Sequence, residues 1–193
     1  MARLDTLNFN DGFIDSLLKS LLFSNENRFR QAIDVLEIAS RSNANNPLLL
    51  LNLAAEKADM VTFIATFERE IGAVSMEQRT RRQGTGNYFG SVQLESYNES
   101  LELLEMINGL MPNHHVVLYN MANIYALSGN VDTAIELYSQ AIKSNSNFAE
   151  AWYNRGLIHL MQKDNIQGCV DMGKAGELGI KQAYLLIHRF CRR

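Results

Sequence analysis

The sequence predicts an all-α protein, a stack of antiparallel helix pairs closed by a C-terminal capping helix. Three observations carry that prediction. The ten-residue phrase VLYNMANIYA (117–126) returns in altered form as AWYNRGLIHL (151–160), 34 positions later. That interval is the length of two helices of about three turns each plus two short connections. Stepping by the same interval through Ala32, Thr66, Ser100, Ala134 and Gly168 meets only small residues. Finally, two prolines in 193 residues, with 47% apolar residues, favour long helices over many turns and strands.

The interval carries a stripe as well as a repeat. Four residues beyond the small set stand Leu36, Glu70, Leu104, Tyr138 and Met172; seven beyond it stand Ala39, Ala73, Ile107, Ala141 and Ala175. Small, large, small at spacings of four and three is one face of a helix. The small residues admit a neighbouring helix closely, and the large ones fill the remaining gap. The partner helices keep their own register, with Leu50, Leu118, Trp152 and Leu186 followed four residues later by Ala54, Ala122, Gly156 and Phe190.

Taken in order, residues 13–23 and 29–40 form a hairpin across the SNEN turn. Pro47 starts the next helix, a position where its missing N–H costs nothing. Asp59 is placed to cap a following helix, MVTFIATFEREIG. Residues 76–92 hold three arginines and three glycines without a helical stripe, and read as a basic loop or irregular helix. Gly84, Gly86 and Gly90 miss the spacing of a phosphate-binding loop. The pairs are therefore expected at about 13–46, 47–80, 81–114, 115–148 and 149–182, in a single array over 1–193. Turns at Ser128-Gly129-Asn130, SNSN (144–147) and Lys163-Asp164-Asn165 separate the later helices. KQAYLLIHRFCRR (181–193) forms the cap, apolar at Ala183, Leu186, Ile187 and Phe190.

These residues resemble the tetratricopeptide repeat, W-x2-L-G-x2-Y followed by A-x3-F. Residues 115–148 supply Leu118, Met121, Ala122, Tyr125, Ala134, Tyr138 and Ala141, with Ser146 in place of the usual proline. Residues 149–182 supply Trp152, Gly156, Gly168, Met172 and Ala175, with Arg155 and His159 replacing the usual Leu and Tyr. The segment GCVDMGKAGELGIKQAYLLIHRFC is similar to the closing segment of tetratricopeptide proteins of Bacteroidetes. The resemblance implies a right-handed superhelical α-solenoid whose concave face, lined by first helices, binds another protein or peptide.

Composition narrows the function. A net charge of -3 and a pI near 5.8 give no general electrostatic reason to bind nucleic acid. No apolar run is long enough to span a bilayer. The opening MARLDTLNFNDGF does not read as a secretory signal, so a cytoplasmic location is expected. No catalytic or metal-binding signature is present, so neither an enzyme nor a cofactor is expected. His114 and His115 are adjacent and diverge on a helix. Cys169 and Cys191 read first as small buried hydrophobes, and secondly as a disulfide that would require an oxidising compartment.

The candidate partner-binding residues are those of the first helices not needed for packing: Tyr119, Asn120, Asn123 and Leu127, then Tyr153, Asn154, Leu157 and Met161. Asparagine can both donate to and accept from the main chain of an extended peptide, and tyrosine adds flat contact area. The same Tyr-Asn pairs could instead bond helix to helix. Asn123 and Asn154 resemble the asparagine pair of repeats that clamp a C-terminal carboxylate, but Tyr119, Tyr184 and His188 stand where that clamp has lysines and arginine. The competing readings are a self-association or assembly module acting through Leu48 to Leu51, giving a homo-oligomer, and a chaperone for a secreted client, as in the small three-repeat chaperones of translocator proteins.

Overall fold

The computed structural model describes residues 12–76 and 94–191, and the expected loop at 76–92 lies almost wholly outside them. The described elements are helical throughout. They are α1 (Gly12–Asn25), α2 (Phe29–Ser42), α3 (Pro47–Met76), a 3-10 turn (Leu94–Tyr97), α4 (Asn98–Leu110), α5 (His115–Leu127), α6 (Val131–Ser144), α7 (Ala149–Met161), α8 (Asn165–Glu177) and α9 (Lys181–Phe190). The chain forms two compact units, residues 1–110 and 111–193. No described helix is long and apolar enough to cross a membrane.

In the first unit, α2 packs on α1 and α3, and α3 packs on α4. Ile33 and Leu36 of α2 meet Leu49 and Leu53 of α3, with Leu17 and Leu103 against them. Tyr97, Leu101, Leu104 and Ile107 recur at the spacing of one helical face and are all buried. The small position Ser100 is buried as well. Lys57 bridges three helices, its Nζ 2.9 Å from Glu37 and 2.6 Å from Glu99. Burial alone would lower its pKa, but these two carboxylates outweigh that and raise it.

One expectation fails here. Asp59 caps nothing, because α3 runs unbroken from Pro47 to Met76 and contains it. No glycine or proline stands between Leu48 and Ile71 to end the helix. Its start does carry a cap, the Asn46 side chain accepting from the Leu48 and Leu49 amides at 3.0 and 3.3 Å. Of the expected self-association residues Leu48 to Leu51, Leu49 is 0% and Leu50 4% exposed and both belong to the core of this unit, while Leu48 is exposed and Leu51 half-buried.

In the second unit, α5 and α6 form one hairpin, α7 and α8 the next, and α9 closes against α8. The register positions Leu118, Ala122, Ala134, Tyr138 and Ala141 are buried in the first hairpin, and Gly156, Gly168, Met172 and Ala175 in the second. Tyr125 is half-buried. Trp152 is also half-buried, packed against the Leu160, Met172, Ala175 and Ala183 cluster, while its Nε1–H donates to the Ser146 carbonyl at 2.9 Å. Gly129 ends α5 at φ 86°, the left-handed conformation that glycine adopts freely.

Cys169 and Cys191 are joined in a disulfide, which corrects their first reading as buried hydrophobes. Residue 169 sits on α8 and residue 191 immediately follows α9, so the cap's packing on α8 brings the two sulfurs together.

Candidate functional site

The stripe of α5 that carries Tyr119, Asn120, Asn123 and Leu127 reappears on α7 as Tyr153, Asn154, Leu157 and Met161, displaced by one repeat. Three of these eight side chains converge. The Asn154 Nδ2 amide donates to Asn123 Oδ1 at 3.0 Å and to the Tyr119 hydroxyl at 3.1 Å. The Tyr138 hydroxyl, rising from α6, donates to the same Asn123 oxygen at 2.5 Å. Four side chains from α5, α6 and α7 thus share one polar knot. Burial raises the pKa of Tyr138 strongly, with Tyr119 adding to the effect, so its hydroxyl stays a donor throughout the physiological range. Burial raises the pKa of Tyr119 too.

With both amide hydrogens committed inside the knot, Asn154 has only its carbonyl oxygen to offer a ligand. The remaining residues of the stripe stay outside it. Asn120 and Leu127 are half-buried on α5. Tyr153 and Leu157 lean onto the Leu160, Met172, Ala175 and Ala183 cluster, and Met161 is 50% exposed. Tyr184 and His188 of α9 are exposed.

An aromatic row that the sequence reading missed borders the knot. The Tyr119 ring meets Phe148 edge-on at 4.9 Å, Phe148 meets His115 at 5.1 Å, and His115 stacks on His114 at 4.7 Å. Burial, aided by His114, lowers the pKa of His115 and favours its neutral form. Phe148 is the residue that enters α7, and its ring reaches back to α5.

A second polar cluster was missed altogether. Arg155 of α7 grips Asp171 of α8 with both arms of its guanidinium, Nε to Oδ2 and Nη2 to Oδ1, each at 2.8 Å. Its third nitrogen, Nη1, donates to Ser139 Oγ of α6 at 2.8 Å. Asp171 is 1% exposed, and the Arg155 guanidinium also lies 5.0 Å from the Trp152 ring centroid. This fork ties α6, α7 and α8 together.

A family model described as TPR repeat matches residues 122–163. Among curated proteins, the photosystem I assembly protein Ycf3 of Acaryochloris marina is 30% identical over 93 residues, 48% of this chain and 52% of that protein. Ycf3 of Prochlorococcus marinus is 38% identical over 77 residues, 40% of this chain and 41% of that protein. The match thus spans about half, or less, of the length of these curated relatives. Among solved structures, a MamA protein superposes with a TM-score of 0.56 at 16% identity, covering 91% of this chain and 79% of that one. A tetratricopeptide repeat protein from Parabacteroides merdae gives 0.53 at 21% identity, covering 91% and 57%. At these identities the two structures speak for the fold.

Proposed function

From the premise that this chain carries tetratricopeptide repeats, we propose that it is a protein-binding scaffold that holds a polypeptide segment along the α5 and α7 stripe. The observation that carries the reading is the knot of Tyr119, Asn123, Asn154 and Tyr138. It sets an acceptor oxygen and a tyrosine ring in fixed positions beside an aromatic row, on a face where the usual cationic residues are replaced by Tyr119, Tyr184 and His188. Such a face suits an uncharged extended segment offering main-chain N–H groups and apolar side chains, rather than a free carboxylate. The chain acts in this reading by binding alone, without a catalytic step.

Replacing Asn123 and Asn154 together would loosen the helices as well as the face, so a photo-crosslinking side chain at exposed Met161 is the cleaner probe. In the native cell, Met161 should give one defined polypeptide adduct, and the same probe at Gln140, exposed on α6, should not. Adducts of equal yield at both positions would remove the assignment of the face.

A second reading, a factor that assists assembly of a larger complex, is favoured by the Ycf3 relatives, which are assembly proteins by name. A client released after assembly would give the Met161 adduct only on irradiation while assembly is under way, where a scaffold gives it whenever the cells are irradiated.

A further inference from the structure

The last helix is hinged at one end and bolted at the other. It leaves α8 through Leu178, Gly179 and Ile180, with Gly179 at φ 108° and open space around it. It ends at Cys191, joined to Cys169 of α8. Between hinge and bolt its apolar hold is slight. Ala183 is fully buried, Leu186 and Ile187 are half-buried against Leu160, Met172 and Ala175, and the Tyr184 ring rests over Gly176. Leu185 is 73% exposed. A helix of ten residues has little stability of its own in water.

We infer that the Cys169–Cys191 bond is a redox latch that keeps α9 closed over the apolar end of the α7 and α8 hairpin, and that its reduction releases α9 and uncovers that surface. The reductant is a dithiol, whether a small molecule or a protein. One of its thiolates attacks a sulfur of the bond, forming a mixed disulfide and expelling the other cysteine as a thiolate, which takes a proton. The reductant's second thiol then displaces the remaining cysteine. The protein gains two electrons and two protons, and the reductant leaves as a disulfide. The closed state belongs to a compartment where thiols are oxidised, and the open state follows transfer to a reducing one. Because Tyr153 and Leu157 of the candidate stripe pack on the same cluster as α9, the latch also sets how far the apolar face extends.

Hydrogen exchange of the full chain, oxidised and after treatment with dithiothreitol, tests this directly. Amides of α9 should exchange at least tenfold faster in the reduced protein, with α5 and α6 unchanged and with increased binding of an apolar-surface dye. The Cys169→Ser and Cys191→Ser variants should behave as the reduced protein does without any reductant. Two results would overturn the latch: equal α9 protection in both states, or loss of protection throughout 111–193 on reduction.

Discussion

The hairpins α5–α6 and α7–α8 obey one 34-residue period, yet each is cemented differently. At the helix crossing the first has Ala122 and Ala134 where the second has Gly156 and Gly168. At the large position the first has Tyr138, which sends a hydroxyl into the knot with Asn123, while the second has Met172, which is buried and apolar. Elsewhere the contrast reverses. Met121 and Leu137 are half-buried and apolar, and one period later stand Arg155 and Asp171, the guanidinium fork. The period therefore fixes size and spacing, and each hairpin places its polar bonds where its own neighbours allow.

The fork offers the largest effect with which to break this comparison. Asp171→Ala strands the Arg155 charge, and Arg155→Met strands the carboxylate at a site 1% exposed. Breaking a buried pair by removing one partner costs about 3–5 kcal/mol. Installing the apolar pair of the first hairpin, Arg155→Met with Asp171→Leu, should return stability to within about 1 kcal/mol of the parent, since buried ion pairs exchanged for packed hydrophobes are often neutral. Urea titration followed by the fluorescence of Trp152, the only tryptophan, reads the second unit directly. A double variant as weak as either single one would mean that the second hairpin has lost the space for an apolar pair.

That asymmetry also accounts for what was legible beforehand. Size periodicity located Leu36, Leu104, Tyr138 and Met172 in the core, because a helix pair cannot close without a small residue facing a large one. It could not locate Asp171, because a lone aspartate on a helix looks like a solvated charge until its partner, 16 residues away, is known to face it. Comparing the two hairpins would have helped: an apolar pair replaced by opposite charges at both periodic positions is a paired substitution. Asn123 and Asn154 were picked out for their chemistry, but that they bond each other from α7 to α5, with the Tyr138 hydroxyl of α6 joining them, is set by how the three helices face one another. Asp59 misled for the opposite reason, since a capping residue is only an opportunity and needs a chain that breaks nearby.

The glycines give the next effect. A Cβ on Gly168 would lie 2.7 Å from Leu160 Cγ and 3.1 Å from the Leu160 backbone nitrogen. The alanine that serves at position 134 should therefore be too large at 168. Gly168→Ala is expected to cost about 1–3 kcal/mol through overpacking. A loss that disappears when Leu160 is shortened to valine would place the strain between these two residues.

The smallest effect lies in the turns. Gly129 and Lys163 are one period apart, and both adopt the left-handed conformation, at φ 86° and 65°. The closing bonds match, Asn130 N–H to the Tyr125 carbonyl at 2.8 Å and Asp164 N–H to the His159 carbonyl at 2.9 Å. Here the backbone demands the same geometry of two residues with unequal tolerance for it. A side chain in that region costs roughly 1–2 kcal/mol, because Cβ crowds the following carbonyl oxygen. Lys163→Gly should thus stabilise the second hairpin by about 1 kcal/mol, less than the full cost because glycine also adds freedom to the unfolded chain. Gly129→Lys should destabilise the first by a similar amount, since the two changes exchange one backbone penalty. If Lys163→Gly instead weakens the unit in the same titration, then the lysine side chain contributes to the turn and the equivalence of the two hairpins ends at the backbone.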